Sequence, residues 1–330
     1  MKRTLKDYLF ITLRGVAMGA ADVVPGVSGG TIAFISGIYQ ELIDSINKIN
    51  FTAVKILRKE RVKSAWEYIN GNFFVALFLG IGISILSLAK GIKYLLETHP
   101  IAVWSFFFGL MMASVLFLWK DIKKWDAPAV IAIVIAAFTA YYITIIPPLV
   151  NNNGYIFLFF AGALAICAMI LPGISGAFIL VLLGAYHTVL NALDTFDLKV
   201  LSIVGLGAVI GILSFSKALK WLFEHKKNTT MAGLTGFIIG SLNKVWPWKE
   251  VLDKEIDAHG KEIILLEKSV LPSDFAGEPQ VLLAVGLAFA GFILIYGIEK
   301  MGIKNTKCIL QILSQIKVFL TCSFQDLRQE

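Results

Sequence analysis

The sequence predicts an all-α integral membrane protein made of two inverted-topology repeats, each a Pro/Gly-broken, re-entrant helical hairpin followed by three transmembrane helices. Three observations predict it. The first is composition: of 330 residues, 57% are hydrophobic and 16% charged, with a mean hydropathy of +0.75. A soluble domain carries roughly 25% charged residues. The second is a Pro-Gly-x-Ser-Gly break that occurs twice inside apolar sequence. The third is the charge of the loops, which alternates along the chain as a membrane topology requires.

Composition also narrows the class of function. A net charge of +7 and a pI near 9.2 would suit a nucleic-acid binder. The basic residues, however, fall between apolar segments and form no basic domain, so they read as topology signals and no nucleic acid is expected as a partner. Cys167, Cys308 and Cys322 have neither paired spacing nor a nearby histidine cluster. No disulfide framework, zinc site or other cofactor is expected from them. Lys2, Arg3 and Lys6 ahead of an apolar run to Ala21 imitate a signal peptide; the repeat argues against cleavage, because Gly15 in that run has an internal counterpart.

The break Pro25-Gly26-Val27-Ser28-Gly29-Gly30-Thr31 returns as Pro172-Gly173-Ile174-Ser175-Gly176-Ala177, at an offset of 172 − 25 = 147. At that offset Gly15 meets Gly162, Ile32 meets Ile179, Gly37 meets Gly184 and Tyr39 meets Tyr186. A second block, Ile85 to Glu97 against Ile212 to Glu224, keeps an offset of 217 − 90 = 127, and Gly109, Ser114 and Trp119 keep it to Gly236, Ser241 and Trp246. The offset shrinks because the basic linker from Asn47 to Asn70 has almost no equivalent after Leu193. The chain therefore divides into a first repeat at 1–150, a second at 151–303 and a tail at 304–330, whose apolar spacing suits an interfacial helix.

Apolar segments lie near 8–24, 31–47, 72–96, 101–119, 128–147, 155–171, 176–193, 199–223, 231–246 and 281–298. Those flanking each break reach about 25 Å at ~1.5 Å per residue, short of a hydrocarbon core of about 30 Å. Each flanking pair is thus a re-entrant hairpin or two short crossings, and both return the chain to its starting side. Lys2, Arg3 and Lys6 put the N-terminus inside, as do Lys55, Arg58, Lys59, Arg61 and Lys63 the next linker. Thr98 to Pro100 then falls outside, Lys120, Lys123 and Lys124 inside, and the uncharged 151–153 outside. In the second half Asp194 and Asp197 fall outside, Lys226 and Lys227 inside, the acidic stretch from Glu250 to Glu278 outside, and Lys300, Lys304 and Lys307 inside. Both termini are expected in the cytoplasm. Three crossings per half is an odd number, so the halves are inverted and the breaks enter from opposite faces.

A break of this kind frees polar backbone that lipid cannot satisfy, so it belongs where it lines a cavity. Ser28 and Ser175 are natural N-caps, and Gly29, Gly30 and Gly176 let backbone amides approach a ligand. Helix starts favour phosphate or carboxylate. Arg14 and Asp22 lie within the first apolar segment, where the second copy has Ala161 and Met169. A charge at that depth costs at least ~2.5 kcal/mol and normally faces a cavity or partner. Arg14 suits an anionic head group. Asp22 suits a coupling proton or cation, or the two could pair across about two helical turns. Glu41 and Asp44, near a helix end, read as solvated. Lys90, Lys93, Lys217 and Lys220 close their helices with Glu97 and Glu224 one turn on, which suits snorkelling with local ion pairs. The candidate substrate-binding set is Arg14, Asp22, Pro25, Gly26, Ser28, Gly29, Gly30, Thr31, Pro172, Gly173, Ser175 and Gly176; no catalytic or metal-ligating residue is expected. Gly26-Val27-Ser28-Gly29 also spells the serine motif of intramembrane rhomboid proteases, but no positioned base accompanies it, since only His187 of the four histidines lies in an apolar segment.

The stretch Gly15 to Ala33, with Gly37-Ile38-Tyr39 after it and Leu171 to Gly176 later, resembles the bacterial polyprenyl-phosphate transporters of the PopT type over roughly residues 8–300. The resemblance implies a translocase of the bacterial cytoplasmic membrane. It would return undecaprenyl phosphate, the carrier lipid of cell-wall polymer synthesis, from the outer to the inner leaflet. Its partners would then be that polyprenyl-phosphate lipid, the surrounding membrane lipids and a coupling proton or cation. Undecaprenyl-pyrophosphate phosphatases share inverted repeats and a Pro-Gly-x-Ser-Arg-Ser motif, but Gly29 and Gly30 stand here where the arginine and second serine would be. Their glutamate-rich first motif is also missing. A small-anion transporter using the same two helix starts is a further alternative.

Overall fold

The structure, a computed structural model, describes residues 3–24, 27–149, 154–256 and 262–300. Pro25, Gly26, the 151–153 loop and the tail after Lys300 lie outside them. The first half runs α1 (Leu5–Val23), α2 (Gly29–Ile35), α3 (Tyr39–Asn47), α4 (Phe51–Lys59), α5 (Val62–Tyr68), α6 (Gly71–Thr98), α7 (Pro100–Asp121) and α8 (Ala127–Ile145). The second runs α9 (Tyr155–Ile170), α10 (Gly176–Leu182), α11 (Tyr186–Asp194), α12 (Leu198–His225) and α13 (Lys227–Ser241). A 3-10 turn at Leu242–Val245, strands β1 (Lys249–Ile256) and β2 (Glu262–Ser269), and α14 (Val281–Lys300) complete it.

Local chemistry sets the helix starts. Thr4 and Asp7 form a capping box on α1, with the Thr4 amide donating to Asp7 Oδ2 at 2.7 Å. Asn50, Asp126 and Asp197 cap α4, α8 and α12, and Pro100 opens α7. The lengths follow the sequence repeat: α2 and α10 have seven residues each, α3 and α11 nine, α6 and α12 28. Among the described residues four helices, α6, α7, α8 and α12, are each long and apolar enough to cross a membrane, or five spans if the bent pair α10 and α11 counts as one.

Helix pairing repeats as well. α1 packs on α6 as α9 packs on α12, and α7 packs on α14 as its counterpart α13 packs on α8. Glycines bring these pairs together. A Cβ on Gly15 would strike the Leu77 carbonyl and one on Gly162 the Val204 carbonyl; Gly109 and Gly236 stand in the same way against Ala288 and Ile133. Close backbone approach at small residues is how helices gain contact where no hydrophobic effect drives them together. Large apolar side chains point outward instead, among them Ile131, Val134, Ile135 and Phe138 on α8 and Leu282, Val285 and Phe289 on α14.

Two features depart from expectation. The segments near 31–47 and 176–193 are each split, because Gly37 (φ 74°) and Gly184 (φ 67°) adopt the left-handed region and turn the chain; α10 and α11 meet at 112°. The fold is also not helical throughout. The stretch expected only as an acidic external loop forms an antiparallel hairpin in which Lys249 pairs with Ser269 and Glu250 with Lys268.

Candidate functional site

The two breaks are in direct contact. Ser28 caps α2 by accepting from the Gly30 amide at 3.1 Å, and its hydroxyl donates across the halves to the Met169 carbonyl at 3.0 Å. Thr31 answers in the other direction, its Oγ1 accepting from the Gly173 amide at 2.8 Å. Both side chains are fully buried. Gly30 allows this, since a Cβ there would strike the Ile170 carbonyl at the end of α9. Gly173, at φ 100°, turns the second break toward Thr31 and Ser241.

Asp22 finds its partner within its own half, and that partner is not Arg14. Its Oδ1 accepts from the Gly29 amide at 2.6 Å, so a carboxylate of the same chain fills the start of α2. Gly29 must be glycine, because a Cβ would meet Asp22 Oδ2 at 2.5 Å. An acid at a helix start satisfies an orphan donor and the helix dipole together. The first helix start is therefore occupied from within, with the Gly29, Gly30 and Thr31 amides all bound. At the second, Ser175 accepts from the Phe178 amide at 3.2 Å, and the Gly176 and Ala177 amides have no acceptor among the described residues. Pro172 is buried beneath it.

Arg14 does not pair with Asp22. Half-buried on α1, it has no hydrogen bond or ion pair among the described residues. Glu41 acts on it electrostatically, but that carboxylate is held by Arg3 at 2.6 Å and by Asn70 at 2.8 Å. Glu41 is thus not simply solvated, whereas the Asp44 side chain is exposed as expected and lies 3.7 Å from the exposed side chain of Lys220 on α12. Lys220 also reaches Glu224 at 3.8 Å, the local pair expected from their spacing. The Asn47 side chain donates to the Ser216 carbonyl at 2.8 Å and adds a second tie between α3 and α12.

Among the expected site residues, the structure brings Ser28, Gly29, Gly30, Thr31 and Asp22 together with Gly173 at one contact, while Ser175 caps α10. Arg14 lies two turns earlier on α1. Sequence reasoning missed two partners of that contact, the Met169 and Ile170 carbonyls, which no side-chain pattern can announce, and it also missed the second turns at Gly37 and Gly184. The match of those two glycines at the repeat offset was the signal for the turns.

Apolar spans, glycine-zipped helix pairs and two buried, mutually bonded breaks define a mostly α-helical, multi-pass membrane protein. Within that class, the chain belongs to the undecaprenyl phosphate translocase-like family, whose model matches residues 18–263. It is 47% identical over 298 residues to a polyprenyl-phosphate transporter of Vibrio cholerae serotype O1, covering 89% of this chain and 97% of that protein. It is 34% identical over 254 residues to a polyprenyl-phosphate transporter of Staphylococcus aureus, covering 71% and 85%. No solved structure matches the chain.

Proposed function

We propose that this protein translocates undecaprenyl phosphate across the bacterial cytoplasmic membrane, returning the carrier lipid to the inner leaflet for cell-wall polymer synthesis, and that it binds the phosphate without cleaving it. The single observation that carries this is Arg14: a guanidinium in the first apolar segment, half-buried, with no hydrogen bond or ion pair among the described residues. Such a charge is costly unless a ligand supplies the counter-charge, and guanidinium matches a phosphate with two parallel N–H donors. The family and the names of both relatives give that anion its chemistry.

In this reading the halves are inverted and the breaks are the tips of re-entrant hairpins meeting near mid-membrane. The recurrence of helix lengths and pairings supports the repeat, and the loop charges support its inversion. Arg14 contacts the head group, while Ser28 and Thr31 hold the two tips together and Asp22 fills the first helix start, with the Gly176 and Ala177 amides open beside them. The isoprenoid tail stays in lipid and only the charge passes through the protein. A phosphatase needs a nucleophile or base next to the phosphate, and Ser28 has its hydroxyl committed to the Met169 carbonyl instead.

Purified protein in liposomes should exchange undecaprenyl phosphate between leaflets in a leaflet-selective assay run with and without ion gradients, and should release no phosphate from undecaprenyl pyrophosphate. Release that disappears in Ser28→Ala would favour the enzyme instead. For the topology, single cysteines at Asn152 and Lys59 in a cysteine-free background should be labelled from outside only at Asn152.

A further inference from the structure

The β-hairpin is bound to the helix bundle in a way that strands one positive charge. Ser269 Oγ donates to Asn243 Oδ1 at 2.8 Å, Asn243 donates to Thr144 at 2.7 Å, and the Trp246 indole donates to the Val270 carbonyl at 2.8 Å. These bonds fix the 3-10 turn and with it Lys244. Lys244, Lys249 and Glu267 then form a cluster whose side chains are only 16%, 7% and 14% exposed. Both ammonium groups share Glu267 Oε2, at 3.1 and 3.3 Å. Two cations and one carboxylate leave a net charge of +1, and buried charges normally occur in balance.

The excess falls on Lys244. Lys249 is saturated: it also donates to the Lys244 carbonyl at 2.7 Å and lies 3.8 Å above the Trp104 ring. Lys244 has one acceptor, Glu267, for its three N–H donors and otherwise faces the Phe178 ring at 4.6 Å. Phe178 is the residue whose amide Ser175 caps, so this ammonium stands over the first turn of α10, beside the second break. Arg14 and this cluster lie at opposite ends of α6. Gly15 packs at the level of Leu77 near the start of that helix, and Trp104 follows the turn after its end.

We infer that Lys244 forms a second phosphate site, which takes the phosphate monoester of a lipid on the hairpin side of the membrane, with Glu267 as the resident anion that the phosphate displaces. It rests on the translocase reading, and gives each side of the paired breaks one cation: Lys244 where the lipid enters, Arg14 where it leaves. Glu267 then has a role opposite to that of a structural strut, because removing its charge frees the site.

The test uses purified full-length protein, with farnesyl phosphate and inorganic phosphate as probes, and leaflet exchange of undecaprenyl phosphate as a second readout. Lys244→Gln should weaken farnesyl phosphate binding about tenfold, the loss of one charged hydrogen bond, and raise the KM for exchange begun on the hairpin side. Lys244→Arg should keep most of the binding. Glu267→Gln should tighten binding severalfold. If Lys244→Gln and Glu267→Gln both weaken binding, or neither changes it, the cluster is a strut and the inference fails. Inorganic phosphate competing as strongly as farnesyl phosphate would make it a free-phosphate site and overturn the lipid assignment. Exchange in both variants equal to that of an active unaltered protein would sink this site alone; binding that responds as expected in a protein that exchanges no lipid would sink the translocase reading and leave the site.

Discussion

Six of the seven residues of α2 are buried, and none of the seven in α10 is, although both helices follow the same Pro-Gly-x-Ser-Gly break and have the same length. The contrast extends to every polar group around them. On the first break Ser28 makes a cap and a bond between halves, Thr31 makes another, and Asp22 fills the helix start. On the second, Ser175 makes a cap alone, and Met169 stands where Asp22 would be. Where the first half has Arg14, the second has the buried Ala161, and its charge comes instead from the 3-10 turn and the hairpin after it, which have no counterpart among the described residues of the first half. A repeat fixes backbone geometry, since glycines and caps must recur for the helices to pack. It does not fix charge, which each half acquires by itself. Equal shape therefore does not imply equal function.

The largest test of that contrast is Arg14. Arg14→Ala should abolish exchange while leaving the fold intact, because Ala161 already shows that this position packs well as alanine in the other half. Arg14→Lys should restore it in part, since a point charge replaces a planar fork. Full exchange by a folded Arg14→Ala protein would show that the charge asymmetry has no functional meaning.

The serines come next. If the breaks were equivalent in use, Ser28→Ala and Ser175→Ala would cost the same. Their surroundings predict otherwise: Ser28→Ala loses a cap and orphans its share of a buried bond between halves, about 2 kcal/mol, against about 1 kcal/mol for the cap alone at Ser175. Melting temperature and exchange should both fall further for Ser28→Ala. Equal losses would restore functional symmetry.

How much of this was legible beforehand follows the same division. Pro25, Gly26, Ser28 and their copies announced two breaks, because backbone needs are written in glycine, proline and short polar residues. The loop lysines announced a topology for the same reason: each acts alone. What stayed hidden depends on pairing across long separations. Nothing local says that Ser28 will meet the Met169 carbonyl 141 residues away, that Asp22 will turn to Gly29 and not to Arg14, or that Glu41 and Asp44 will find Arg3 and Lys220. The hairpin was hidden for a different cause. Its strands are rich in charge, so in a chain searched for apolar segments they read as loop.

The smallest expected effect isolates the hairpin's own contribution. Lys249 lies between the Trp104 ring, Glu267 and the Lys244 carbonyl, and burial pushes its ammonium from the ordinary 10.5 down to about 8, against the pull of Glu267. Burial would raise the Glu267 carboxyl, but the two lysines hold it below its usual value, so it stays an anion throughout. Between about pH 8 and 10.5 the unfolded chain keeps a proton on Lys249 that the folded protein has released. The unfolded state then binds more protons, so stability rises with pH across this window, by up to about 3 kcal/mol. Lys249→Met has no such proton to release, and Lys244 still balances Glu267 in it. Melting temperatures of the two proteins in the same detergent should therefore diverge as pH rises from 7 to 10, the unaltered protein gaining relative to the variant while other titrating groups cancel in the difference. Parallel curves would mean that Lys249 keeps its charge in the fold, and that the hairpin cluster carries its excess positive charge across this whole range, as the first half carries that of Arg14.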